Sequence, residues 1–218
     1  MHMSSPVTDT QRHAPVLLWI VGILAVLETA FTLLGLPPLG LGRLRNIAIM
    51  YGAFWPGLLG DWVPAFNGQP VTMFVTYAFL HGGFLHMLFN ALILLHLGRE
   101  SVNRLGQGGF LLLFALSSIG GAAVYGLLAT SDAPMLGASG AVFGLFGTTM
   151  FWDFQRRRAV GASLEPVGRL LIGLIVLNLL LYFLVAGMLA WQAHLGGFVA
   201  GFAFAALVTP TPGHRFRG

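Results

Sequence analysis

Three short polar groups interrupt an otherwise apolar sequence, and their residue types are those of a hydrolytic centre. Ser139 lies in Gly137-Ala138-Ser139-Gly140, and His194 lies in Ala193-His194-Leu195-Gly196-Gly197. His81, His86 and Asn90 fall within HGGFLHMLFN, residues 81–90. A serine hydroxyl is a weak nucleophile until a neighbouring base takes its proton, and histidine is the commonest such base. Imidazole and amide N–H groups are suited to stabilising the oxyanion of acyl transfer. Taken singly, each residue has a plainer reading. Ser139 would be a small packing residue or a helix N-cap, His194 an isolated polar group, and His86 and Asn90 hydrogen-bonded cross-links between helices.

The elements that position these residues are membrane spans. Of 218 residues, 56% are apolar and 8% are charged, against roughly a quarter charged in soluble domains. Most of that apolar surface must face lipid. Six spans are expected, at about 16–36, 84–98, 109–129, 139–155, 168–186 and 191–209. The second is short; it is expected to begin earlier, near Val75 or His81, and to run on toward Arg104. The first is read as a span and not as a cleaved signal peptide, because no small-residue exit site follows it. The expected organisation is one membrane domain over 1–218: a tail at 1–14, a six-helix core at 15–209 and a tail at 210–218. No internal repeat of the transporter kind is visible.

Charge sets the expected orientation. With the N-terminus inside, Arg12, Arg99, Arg104, Arg156, Arg157, Arg158, Arg169, Arg215 and Arg217 lie on the cytoplasmic side, and only Arg43 and Arg45 lie outside. Nine against two obeys the positive-inside rule and puts both termini in the cytoplasm. Because these arginines lie between spans, the net charge of +4 is a topology signal, and a nucleic-acid partner is not expected. The first external connection, about 37–70, contains Tyr51, Phe54, Trp55, Trp62 and Phe66 among Gly and Pro and reads as an interfacial loop.

This topology could have scattered the polar groups, and it gathers them. His86 and Asn90, four residues apart, share a helix face near the external end of the second span. Ser139 opens the fourth span and His194 enters the sixth, both from the external side. The 17 residues from Ser139 to Arg156 make about 25 Å of helix, against a hydrocarbon core about 30 Å thick. Ser139 is therefore expected several Å below the outer surface, with 134–137 descending as non-helical chain beside a buried or wet cavity. No acid stands where it could complete a triad. Asp153 is 14 residues from Ser139, about 21 Å along the helix, and Glu28 is on another span. A Ser–His dyad follows, its histidine oriented by packing. Glu28 and Asn178 are read as local hydrogen-bonding glue. No metal or cofactor is expected, because the external histidines lack a carboxylate at ligand spacing.

HGGFLHMLFN, GASG and AHLGG, in that order on the second, fourth and sixth spans, resemble the motifs of rhomboid intramembrane serine proteases. GxSG alone is a weak signal, but flanked by HxxxN and AHxxG it is highly specific, and the likeness extends over about 74–209. The resemblance implies a six-helix all-α membrane bundle in which Ser139 is the nucleophile and His194 the general base. It implies an oxyanion hole formed by the backbone N–H of Ser139 and the side chains of His86 and Asn90. His81, Gly137 and Phe143 take supporting places. Phe143 stands where some members have a tyrosine packed on the catalytic histidine, and it keeps the ring without the hydroxyl. The Trp-Arg pair that some members carry in the first external loop is absent.

The expected activity is that of a serine endopeptidase cutting single-pass transmembrane proteins near the outer face of the membrane, where a helix weakened by Gly, Ser or Pro can unwind. A catalytically inactive relative that binds transmembrane segments is the alternative, and loss of Ser139 or His194 would be its sign. A channel or transporter would space polar groups through the membrane depth, and here they cluster at one level. Lipid is the expected surrounding, and the arginine-only, Gly/Ala/Leu-rich composition points to a bacterial inner membrane.

Overall fold

The computed structural model describes residues 14–37 and 39–209. The tails at 1–13 and 210–218, and with them Arg12, Arg215 and Arg217 of the charge count, lie outside the described residues.

Seven α-helices are present among the described residues. They are α1 (Pro15–Gly35), α2 (Arg43–Gly52), α3 (Gln69–Thr76), α4 (Phe84–Leu128), α5 (Ser139–Ala159), α6 (Glu165–Leu184) and α7 (Trp191–Val208). Short 3-10 turns occupy Pro56–Leu59 and Tyr77–Phe79. Four helices, α1, α4, α6 and α7, are long and apolar enough to cross a membrane. The helix boundaries have local causes. Pro15 stands in the first turn of α1, where a missing N–H costs nothing. Arg156, Arg157 and Arg158 close α5, where positive charge complements the C-terminal dipole. α4 breaks at Gly106, whose φ of 72° and ψ of 176° divide it into two legs.

α5 is the central element. Its residues from Gly140 to Leu145, together with Gly147, Thr148 and Met150–Trp152, are buried. α7 packs against it by backbone contact. A Cβ at Gly201 would lie 2.6 Å from the Cα of Gly144, and one at Gly197 would lie 3.0 Å from the Cα of Gly140. Thr148 Oγ1 ties the same seam by donating to the carbonyl of Gly201 at 2.9 Å. The opposite side of α7 meets α4 equally closely, because a Cβ at Gly196 would fall on the carbonyl of Gly120 and 2.8 Å from Val124 Cβ. Small residues let membrane helices approach closely enough for dispersion contacts to hold them. α6 has no such seam. Gly168 and Gly173 face open space, and only 6% of its apolar window is buried.

Two expectations change. The second span does not extend back to Val75 or His81. α3 and a 3-10 turn precede it, and 80–83 is non-helical, with Gly83 at φ 155°. His81 therefore lies in the break before α4, not on the span. The stretch at 37–70 is also more ordered than a loop: α2 is anchored by Arg45, which forks onto Glu28 at 2.9 and 2.8 Å and also donates to the carbonyl of His81 at 2.8 Å. Glu28 is 1% exposed, so this ion pair joins α1 to α2 and Glu28 is not merely local glue.

Candidate active site

The non-helical chain before α5 is pinned on both sides. Phe54 and Met135 exchange two backbone hydrogen bonds of 2.9 Å as an isolated antiparallel bridge, and Gly137 N–H donates to the Tyr77 carbonyl at 3.0 Å. Tyr125 Oη adds a bond to the carbonyl of Ala133 at 3.0 Å. These bonds satisfy backbone groups that have no helical partner. Gly137 takes φ 121°, and a Cβ there would also lie 2.8 and 2.9 Å from Cε1 and Nε2 of His86. Only glycine meets both conditions.

Ser139 is the first residue of α5 and is partly exposed, while its neighbours Ala138 and Gly140 are buried. Its backbone N–H donates to no acceptor among the described residues, as befits the first turn of a helix. The Ala138 N–H donates to His81 Nε2 at 3.3 Å, and the His81 ring meets the His86 ring edge-on at 5.0 Å and 76°. His81 is thus a strut under the serine-bearing turn, its other nitrogen buried and unpartnered. Asn90 is buried, and its Nδ2 donates one bond to the His86 carbonyl at 2.8 Å. One of its two amide hydrogens is committed to its own helix.

His194 is 5% exposed. Its ring lies flat on Phe143, 4.2 Å between centroids and 5° between planes. Its Nδ1 is 2.6 Å from Asn178 Oδ1. No hydrogen bond joins Ser139 to His194 among the described residues. The helices that carry them pack together at the Gly140–Gly197 contact. Ser139 and Phe143 are four residues apart on α5 and share a face, so a ring stacked on Phe143 lies within about one helical turn of the serine. A cavity of about 460 Å³ between α5, α6 and α7 has Phe143, Asn178, Trp191 and His194 in its wall.

The structure also supplies residues that sequence reasoning left aside. Asn178 is in contact with His194 and is not only local glue, although it also bonds its own helix. Tyr77 donates to the Ser118 carbonyl at 2.8 Å, and its hydroxyl would lie 2.7 Å from a Cβ at Gly140. Nothing local in the sequence singles out Tyr77. For Asn178 there was a signal: an amide in an apolar helix is costly without a partner.

Residues 68–211 match the family model described as the Rhomboid domain. The chain is 31% identical over 142 residues to the rhomboid-protease candidate YdcA of Bacillus subtilis (strain 168), covering 65% of this chain and 69% of that one. It is 34% identical over 135 residues to the rhomboid protease GluP of the same organism, covering 62% of this chain and 25% of GluP. With the rhomboid-type serine protease 2 of Emericella nidulans it shares 31% over 145 residues, 64% of this chain and 27% of the relative. The chain therefore spans about a quarter of the length of the two larger relatives.

Proposed function

This chain belongs to the rhomboid family, and on that premise we propose that it is an intramembrane serine endopeptidase working through a Ser139–His194 dyad. The observation that carries the proposal is the placement of His194, buried and stacked on Phe143, across a glycine seam from the helix that Ser139 opens. His194 takes the proton of the Ser139 hydroxyl as its oxygen attacks the scissile carbonyl. The developing oxyanion is met by the Ser139 N–H at the positive end of α5, by His86 and by the second amide hydrogen of Asn90. His194 then returns the proton to the leaving amine, and a water activated by the same nitrogen releases the acyl group. Closing the Ser139–His194 gap to about 2.6–3.2 Å accompanies substrate binding, since apo catalytic hydrogen bonds are commonly long.

The protein is an integral membrane protein. Counting the two legs of α4 separately and adding α5 gives six crossings, which we read as one domain over 15–209 with both termini in the cytoplasm. Its substrates in this reading are single-pass transmembrane proteins, cut near the outer face of a bacterial inner membrane, within lipid and without a metal or cofactor. Labelling the detergent-solubilised protein with a fluorophosphonate tests the proposal. Ser139 should be modified, and Ser139→Ala and His194→Ala should each abolish both labelling and cleavage of a model transmembrane substrate while inserting normally. Cleavage above a few per cent in Ser139→Ala refutes the serine mechanism. Binding of a transmembrane segment with neither labelling nor cleavage in the unmutated protein favours the inactive, segment-binding alternative.

A further inference from the structure

We propose that Asn178 is a positioning residue for His194, holding the imidazole proton on Nδ1 so that Nε2 stays free to act as the base; this rests on His194 being the general base. Between 170 and 184, α6 carries only two polar side chains, Asn178 and Tyr182. An amide among leucines is costly in a bilayer unless it is fully used, and Asn178 uses both ends. Its Nδ2 donates to the Leu174 carbonyl at 3.0 Å. That bond fixes which way the amide faces, because a flipped amide would set oxygen against oxygen. Oδ1 must then point at His194 Nδ1, 2.6 Å away. An amide oxygen can only accept, so Nδ1 is the donor. Neutral imidazole has a single N–H, and Nε2 is left with its lone pair.

Two independent contacts therefore define the ring. Stacking on Phe143 sets its plane, and Asn178 sets its rotation within that plane. The amide stands where a carboxylate completes other serine-hydrolase triads, and it does so without bringing charge into the membrane. Among the described residues this is also the single hydrogen bond between α6 and any other helix, on a helix with almost no buried surface. A merely structural role would make Asn178 a tether for α6. The tautomer distinguishes the two.

The experiment uses full-length protein labelled with 15N-histidine, the His194 signals being assigned by their loss in His194→Gln. In the unmutated protein the proton should be on Nδ1. Asn178→Leu should give a mixture of tautomers and lower kcat about two- to ten-fold, the range for one neutral hydrogen bond, with KM unchanged. Asn178→Asp, its carboxyl protonated in the apolar helix, keeps a carbonyl acceptor for Nδ1 and a donor for the Leu174 carbonyl, and should restore kcat. A His194 proton on Nε2 in the unmutated protein overturns the proposal. So does an Asn178→Leu protein that loses thermal stability while keeping its tautomer and kcat. The spectrum needs no substrate, so a protein that never cleaves would refute the protease reading, and the tautomer alone would then decide whether Asn178 holds His194.

Discussion

Replacing Gly201 by alanine adds one methyl group where the structure leaves no room for it. That carbon would lie 2.5 Å from the Gly144 carbonyl carbon and 2.6 Å from its Cα, with the carbonyl oxygen closer still. Carbon atoms rest about 3.5–4.0 Å apart, so α5 and α7 must separate by about 1 Å. The obstacle is backbone and cannot rotate away. The Thr148–Gly201 hydrogen bond of 2.9 Å would stretch beyond useful length, costing about 0.5–1.5 kcal/mol, and overpacking adds about 1–3 kcal/mol. Ser139 and His194 ride on these two helices, and misplacement by about 1 Å can cost on the order of a hundredfold in rate. Gly201 is seven residues from His194, about 10 Å along the helix, so the dyad feels only part of the separation. Gly197→Ala, against Gly140 and three residues from His194, should therefore be worse than Gly201→Ala, and Gly201→Leu should lose most activity. Gly22→Leu, in open space on α1, should do nothing. The assay is kcat on a transmembrane substrate in proteoliposomes, with fluorophosphonate labelling rate and membrane insertion measured on the same samples. Full activity in Gly201→Leu would mean that close approach of α5 and α7 is not what sets the dyad, and the reasoning would fail.

Asn90→Ala should lower turnover by about a hundredfold or less, the loss of one oxyanion donor, with labelling of Ser139 weakened but present. Turnover equal to the unmutated protein would leave that role to His86 and the backbone. Gly137→Ala, at φ 121° and against the His86 ring, should insert normally yet lose most cleavage; unchanged kcat would separate His86 from the chemistry. Arg45→Leu strands the buried Glu28 carboxylate, a change of the kind that costs about 3–5 kcal/mol, and should lower the melting temperature more than the Glu28→Leu/Arg45→Leu double variant does. Equal melting temperatures for the single and double variants would show that the pair does not anchor α2.

The sequence determined where the long apolar helices lie, because length and apolar run are one-dimensional properties. α1, α5, α6 and α7 begin and end within four residues of the expected spans. It also identified Ser139, His194, His86 and Asn90 as polar residues out of place in apolar surroundings. The break before α4 departs from the expected earlier start: Gly82 and Gly83 stop the helix and leave His81 outside it, where its ring receives the Ala138 N–H. Only the tertiary structure decided who meets whom. Glu28 finds Arg45, Phe54 finds Met135, and Asn178 finds His194. Lipid is as apolar as leucine, so burial gives a span no preferred neighbour, and the lateral order of the helices is set by backbone close approach and by polar groups that must find partners. Those partners lie on other spans, and no local pattern along the chain records them.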